Sequence, residues 1–326
     1  MFKKVLSSLA LILSCLCSYS QNSVVEKYGQ LSVNGNYIIS QYGDTVQLRG
    51  MSLFWSQWMP QYYTGSTIKW LKEDWQCTVV RAAMGVEMGG YWANPEEERQ
   101  KVTNVVNAAI RAGIYVIIDY HSHEAHTDPE SAKRFFGDMA KKYGKYQNVL
   151  YEIFNEPLQN TSWSKEIKPY SEEVIKAIRA HDPDNIIICG TRQWSQLVYE
   201  ASKDPIKDTN IAYTLHYYAA THKNWLREEA KKAMGNGIAL FVTEFGTTEA
   251  SGNGKIDYEE SKAWFDFLDQ YKISWCNWSV CDKDETSAAL KPGTSGFGKW
   301  REDEITPSGK FIREELKKKN PVFKKK

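Results

Sequence analysis

Two carboxylates stand out by where they sit. Glu156 follows the apolar run Val149–Phe154, inside "IFNEP", and Glu244 closes another apolar run in "LFVTEFGTT". A carboxylate at the end of such a run is aimed at whatever lies beyond the strand's tip. Arg81, His121, Asn155, His216, Tyr218 and Trp278 occupy comparable strand-end places. Hydrolysis of a glycosidic bond requires a pair of this kind, one carboxyl holding a proton and the other ionised, on either side of the scissile bond. Arg81 would keep one carboxylate ionised, and a drier, apolar setting would keep the other protonated. Asn155 would bind a sugar 2-hydroxyl, and Trp278 would floor the subsite.

Eight short apolar runs must position these groups: Val46–Met51, Thr78–Met84, Tyr115–Tyr120, Val149–Phe154, Asn185–Cys189, Ile211–Tyr217, Leu240–Phe245 and Ile273–Val280. They are apolar on both faces, as parallel strands covered by helices are. Amphipathic helices lie between them. "SAKRFFGDMAKKYG" aligns Phe135, Phe136, Met139 and Tyr143, and "PYSEEVIKAIRAHDP" aligns Tyr170, Val174, Ile175 and Ile178. A last helix is expected near Lys310–Lys317. Eight strand–helix units over about 280 residues fit an α/β fold, a (β/α)8 TIM barrel. A doubly wound sheet is the runner-up, but "RGMSLFWSQW" after the first strand is not a phosphate-binding glycine loop. "LSVNGNYIISQYGD" reads as a small N-terminal β-hairpin turning at Asn34-Gly35 and plugging the barrel floor. In such barrels reactive groups sit at the C-terminal strand ends. The second strand is expected to end near Arg81. Strands four and seven are taken to lie on opposite sides, so that Glu156 and Glu244 face each other across a sugar.

A formal net charge of +1 gives no electrostatic argument for nucleic acid or a membrane surface. The 12 Trp and 19 Tyr supply aromatic faces that suit sugar rings. Residues 1–20 read as a signal peptide: Lys3 and Lys4 precede the short apolar run Val5–Leu13, and Ser18 and Ser20 mark a cleavage site. This implies a secreted or periplasmic protein. A second reading takes "LILSC" as a lipoprotein signal acylated at Cys15. Residues 21–317 are expected to form one catalytic domain, with 318–326 a solvated Lys-rich tail. Cys77, Cys189, Cys276 and Cys281 read as free thiols with no zinc spacing.

"IFNEP" and "TEFG", together with "RGMS", "VRAAM", "YVIIDYH", "HYYA", "SWCNWS" and "KDETSAAL", resemble glycoside hydrolase family 5, in its bacterial endoglucanase branch. The resemblance runs from about residue 27 to 317, in order. It implies a retaining, endo-acting β-1,4-glucanase that works by double displacement without a cofactor, as a monomer. Glu156 matches the general acid/base and Glu244 the nucleophile. Arg81, His121, Asn155, His216, Tyr218 and Trp278 match the surrounding set. Trp58 and Trp194 match aromatic platforms, and Lys283 and Glu285 match polar contacts after the eighth strand. Phe54 stands where related enzymes often carry a His. Cellulose, mixed-linkage β-glucan, xyloglucan and glucomannan all fit as substrates, and an endo-β-mannanase, xyloglucanase or mixed-linkage glucanase would use the same scaffold.

Two other classes compete. "HSHEAH" places His121, His123, Glu124 and His126 like metal ligands at a strand end, as in a barrel metallohydrolase. Those enzymes carry the HxH on the first strand, and here it is on the third. A carbohydrate-binding protein on an inactive barrel would have lost one of the two carboxylates, and both are present.

Overall fold

The computed structural model describes residues 23–320. The proposed signal peptide, its cleavage point and Cys15 lie outside the described residues. Eight parallel strands close into a barrel: β1 (Arg49–Leu53), β2 (Val79–Gly85), β3 (Tyr115–His121), β4 (Val149–Glu152), β5 (Ile187–Cys189), β6 (Ile211–Tyr218), β7 (Ala239–Gly246) and β8 (Ser274–Val280). Each strand pairs with the next, and β8 closes on β1 through Trp275 opposite Arg49. The outward residues bury against helices; Tyr120 packs there against Phe135 and Phe136 of the helix Pro129–Tyr143. Asp128 starts that helix by accepting from Ser131 N at 3.0 Å.

All eight strands exist, and three shift at an end by more than one residue. β1 begins at Arg49, not Val46, although Val46 and Leu48 are fully buried. Val46 N donates to Ile38 O of the hairpin, so this segment belongs to the floor rather than the barrel. β4 stops at Glu152 and β5 is only Ile187–Cys189. The hairpin pairs Ser32–Asn34 with Tyr37–Ile39, and Gly35 takes φ 58°, so its turn is centred one residue later than the sequence suggested. It sits at the N-terminal end of the barrel, where Val33 N donates to Asn210 Oδ1 just before β6.

The last helix is longer than expected, Pro307–Lys319. A solvated tail from 318 is therefore incorrect at its start. Lys319 pairs with Asp269, and Asn320 Nδ2 donates to Arg49 O and Gln76 O, which holds the end of the helix against the barrel.

β7 carries the feature that matters most for the site. Along β6–β7, Thr214 pairs with Phe241 but His216 pairs with Glu244. The step is two residues on β6 and three on β7, and the register shifts in the same stretch against β8. A bulge breaks the side-chain alternation. The consecutive residues Thr243 and Glu244 consequently both reach the barrel interior.

Candidate active site

Arg81 is the third residue of β2, below the strand end rather than at it. Its length brings the guanidinium up to the mouth, fully buried. Nε donates to Glu152 Oε2 at 2.7 Å and Nη2 to Glu152 Oε1 at 3.2 Å. Nη2 also reaches Asn155 Oδ1 at 2.7 Å and Asp119 Oδ2 at 3.0 Å, and Nη1 reaches Glu244 Oε2 at 3.1 Å. One guanidinium thus faces three buried carboxylates. Burial alone would raise Glu152, but the Arg81 charge and hydrogen bonds from Arg81 and His216 outweigh it and hold Glu152 below the usual range. Asp119, with less compensation, is pushed well up by burial and by the neighbouring carboxylates, and it sits 2.7 Å from His121 Nδ1. Burial and the Arg81 charge push His121 the other way and keep it neutral.

Each oxygen of Glu156 has its own imidazole. His216 Nδ1 lies 2.9 Å from Oε1, and His123 Nε2 lies 3.2 Å from Oε2. The dry, apolar setting expected for Glu156 is therefore wrong. Burial acts to raise this carboxyl, but hydrogen bonds from His123 and His216 override it and hold it at about 2. Burial opposes charge on His216 too, but its bonds to Glu152 and Glu156 and the nearby Glu244 raise it to about 9. At neutral pH the pair's proton rests on the imidazole side.

Glu244 accepts from Tyr218 Oη at 2.9 Å as well as from Arg81. Burial and the charge of Glu156 nonetheless raise its carboxyl, against the pull of His216, Arg81 and Tyr218. Burial and Glu244 keep the Tyr218 hydroxyl protonated, so it stays a donor. Oxygens of Glu156 and Glu244 and a ring nitrogen of His216 all lie within 4.8 Å of one another. β4 and β7 are three strands apart, not diametrically opposed, with β6 and its His216 between them. A diametric pair would be held apart by the full barrel width; this spacing closes the gap.

Glu156, His216, Tyr218 and Glu244 line a cavity of about 370 Å³ together with Trp194, Gln196 and His222. Asn155 Nδ2 is buried and has no hydrogen-bond partner among the described residues, so it is free to donate to a ligand. Trp278 is 5% exposed and stacks on His121 at 5.1 Å. Phe54 packs on Trp278 at 5.1 Å and on Trp58 at 6.3 Å, with Lys283 Nζ 5.5 Å from its ring. Trp58 and Trp194 are 46% and 40% exposed, on loops after β1 and β5, which face each other across the barrel. Lys283 pairs with Glu285, whose buried side chain also accepts from Ser287 Oγ at 2.6 Å. Glu285 thus holds Lys283 and has little left for a ligand.

Trp194 is presented by an unusual turn. Gln193, Trp194 and Ser195 have φ of 59°, 53° and 56°, a run of left-handed residues without glycine. Bonds to the segment around Glu156 hold it there: Trp194 N to Pro157 O at 2.8 Å, and Ser195 Oγ to Asn155 O at 2.7 Å.

The metal reading finds little support in the geometry. His121 faces Asp119, His123 faces Glu156, and His126 stacks on Phe154 at 5.8 Å. Among the described residues His121 and His123 join no group of three ligands. Glu156, His216 and Glu244 do form such a group, but hydrogen bonds occupy them and Arg81 stands against Glu244.

Asp119, Glu152, Thr243 and the Glu156 contact of His123 were not singled out from sequence. A signal existed for the first two. An acid inside an apolar strand must find a buried partner, and Arg81 was available.

The family "Cellulase (glycosyl hydrolase family 5)" matches residues 39–284. The chain is 44% identical to the Endoglucanase of Clostridium saccharobutylicum over 325 residues, 97% of this chain and 72% of that protein. It covers 62% of the length of another relative, Endoglucanase A of Evansella cellulosilytica, at 47% identity over 92% of this chain. A solved structure from Cytophaga hutchinsonii superposes with a TM-score of 0.91 at 63% identity, covering 91% of this chain and 97% of that one. The catalytic domain of Thermobifida fusca endoglucanase Cel5A, solved as a variant in complex with cellotetraose, gives a TM-score of 0.87 at 35% identity, with 90% and 99% covered. With the family match spanning most of the barrel that carries Glu156 and Glu244, the chain belongs to the cellulase family, glycosyl hydrolase family 5.

Proposed function

We propose that this chain is an endo-acting β-1,4-glucanase that cleaves with retention of configuration. The observation that carries the stereochemistry is the approach of Glu156 and Glu244 to within 4.8 Å. Retaining pairs stand about 5–5.5 Å apart, while inverting pairs leave about 6.5–9.5 Å for a water.

In the first step Glu244 attacks the anomeric carbon as the glycosidic bond breaks. The proton held by His216 passes to Glu156, which delivers it to the leaving oxygen, so that Glu156 is left ionised and His216 neutral. In the second step Glu156 takes a proton from water, the water oxygen attacks the same carbon, and Glu244 departs as a carboxylate. Arg81 and Tyr218 hold Glu244 in line for both steps and stabilise the departing charge. Asn155 Nδ2 serves the sugar 2-hydroxyl. Trp58 and Trp194 stack sugars on opposite sides of the cut, Trp278 and Phe54 support the ring between them, and Lys283 adds a polar contact.

A β-glucan chain is the partner this reading requires. The solved relative that holds cellotetraose supports it. The pattern in residues 1–20 supports export, and among the described residues no helix is long and apolar enough to cross a membrane. We take the catalytic domain to act alone, as a monomer. The test is a panel of cello-, mixed-linkage, xyloglucan- and manno-oligosaccharides with product sizing. Internal cleavage of cello-oligosaccharides is expected. Release of single sugars from one end only would contradict an endo mode.

A further inference from the structure

Glu152 is held ionised by Arg81, so it can only accept hydrogen bonds. Thr243 Oγ1 lies 2.7 Å from Glu152 Oε1 and must donate its one proton there. That leaves the Thr243 oxygen as an acceptor toward His216 Nε2, 2.9 Å away. His216 therefore carries a proton on Nε2 in every state. Its other nitrogen, Nδ1, faces Glu156 Oε1 at 2.9 Å.

We propose that Thr243 is a positioning residue that fixes the tautomer of His216, so that the mobile proton of the site is shared only between Nδ1 and Glu156. The proposal rests on Glu156 being the acid/base. The Nδ1 proton crosses to Glu156 and on to the leaving oxygen, so that ionised Glu156 and neutral imidazole remain, still Nε2–H. When Glu156 later takes a proton from water, the excess returns to Nδ1. Without the Thr243 acceptor, neutral His216 could adopt the Nδ1–H form, which donates to Glu156 permanently and can neither accept its proton nor return one. The bulge in β7 is what makes this possible, since it lets Thr243 face the interior beside Glu244.

Other titratable groups face the same ring. Glu152 and Glu156 approach from β4 and the segment after it, Glu244 from β7, His121 from β3, and His222 from the turn after β6. Thr243 differs from all of them in not titrating, so its removal changes hydrogen-bond direction without changing the charge of the site.

The experiment compares Thr243→Val and Thr243→Ser with the parent enzyme across pH. Two substrates are used: a cello-oligosaccharide, whose leaving group needs a proton, and a dinitrophenyl cellobioside, whose leaving group does not. For Thr243→Val, kcat/KM on the cello-oligosaccharide should fall about tenfold and its basic limb should move roughly one pH unit toward acid, the worth of one hydrogen bond to a charged group. Dinitrophenyl release in the first turnover should be unchanged within about twofold, and Thr243→Ser should restore both rate and profile. Equal losses on both substrates at every pH would mark a merely structural residue and overturn the proposal. Imidazole ¹⁵N NMR of the parent enzyme, titrated past the basic limb, reads the tautomer even if Thr243→Val does not fold. Nε2–H on His216 is expected; Nδ1–H overturns the proposal. Failure of the parent enzyme on every glucan would count against the glucanase reading instead, and the NMR result would stand apart from it.

Discussion

Glu156 and Glu244 bring carboxylate oxygens within 4.8 Å of each other, although they rise from strands three places apart. That gap is on the scale of a retaining pair and suits attack by one carboxylate on the carbon whose leaving group the other protonates. Arg81 and Tyr218 hold one side of the gap, His216 and His123 the other. The two glutamates are chemically alike, and their neighbours divide the labour.

Removing each glutamate should separate the roles. Glu156→Ala should still be glycosylated quickly by a dinitrophenyl cellobioside, and deglycosylation should slow by roughly 10²–10⁴-fold. Azide should speed that turnover and give a β-glycosyl azide. Glu244→Ala should form no intermediate and give the α-azide. NMR of the adducts decides; reversed anomers would exchange the assigned roles.

Arg81 pairs with Asp119, Glu152 and Glu244 at once. Arg81→Ala strands buried carboxylates and should cost about 3–5 kcal/mol of stability, measured by urea unfolding. Arg81→Lys keeps the charge but cannot bridge Glu152 and Glu244 together. It should recover part of that stability and little activity. Full activity in the Lys variant would show that charge alone suffices.

The Glu156–His216 pair predicts the pH behaviour. His216, despite burial, is raised to about 9 by its bonds to Glu152 and Glu156. An unfolded His titrates near about 6.5. Its stabilising contribution is therefore complete below about pH 6.5 and is lost as pH rises through about 9. Glu156 behaves in the opposite sense. Held at about 2, it contributes fully above the ordinary carboxylate range, and that contribution is lost as pH falls through about 2. Activity should fall on a basic limb near pH 9, where the pair loses its proton. In His216→Asn that limb should move below about pH 7, toward an ordinary carboxyl. A limb that stays in place would remove His216 from the proton inventory.

Trp194 stands out on its left-handed turn, beside the cavity that Glu156 lines. Trp194→Ala should raise KM for long cello-oligosaccharides about tenfold, the scale of one lost aromatic stack together with its buried area. Hydrolysis of a short aryl cellobioside should change far less. Equal losses on both would mean that the turn, rather than the ring, matters.

The barrel was legible because parallel strands buried on both faces read as unbroken apolar runs. Ile117 and Ile118, or Phe241 and Val242, need no alternation. The ends were less clear. Val46 is as apolar as a strand residue but pairs with the floor hairpin, and no local pattern separates those two uses. The catalytic candidates were visible as polar residues at strand tips. Their deeper partners were hidden among the strand residues themselves, as with Asp119 in "YVIIDYH" and Glu152 in "LYEIF". The position of Thr243 depends on a bulge, a register property of three strands at once, which no single stretch of sequence encodes. The apolar pocket expected for Glu156 failed for a similar reason. His123 and His216 are distant in sequence, and only the closed barrel brings both to one carboxyl.

The most direct test is the anomeric configuration of the first sugar released from a cello-oligosaccharide, followed by ¹H NMR before mutarotation. The 4.8 Å approach of Glu156 and Glu244 predicts the β anomer, formed through a glycosyl ester on Glu244. An α anomer appearing first would mean that water attacks the substrate directly, and it would contradict the assignment of Glu244 as nucleophile.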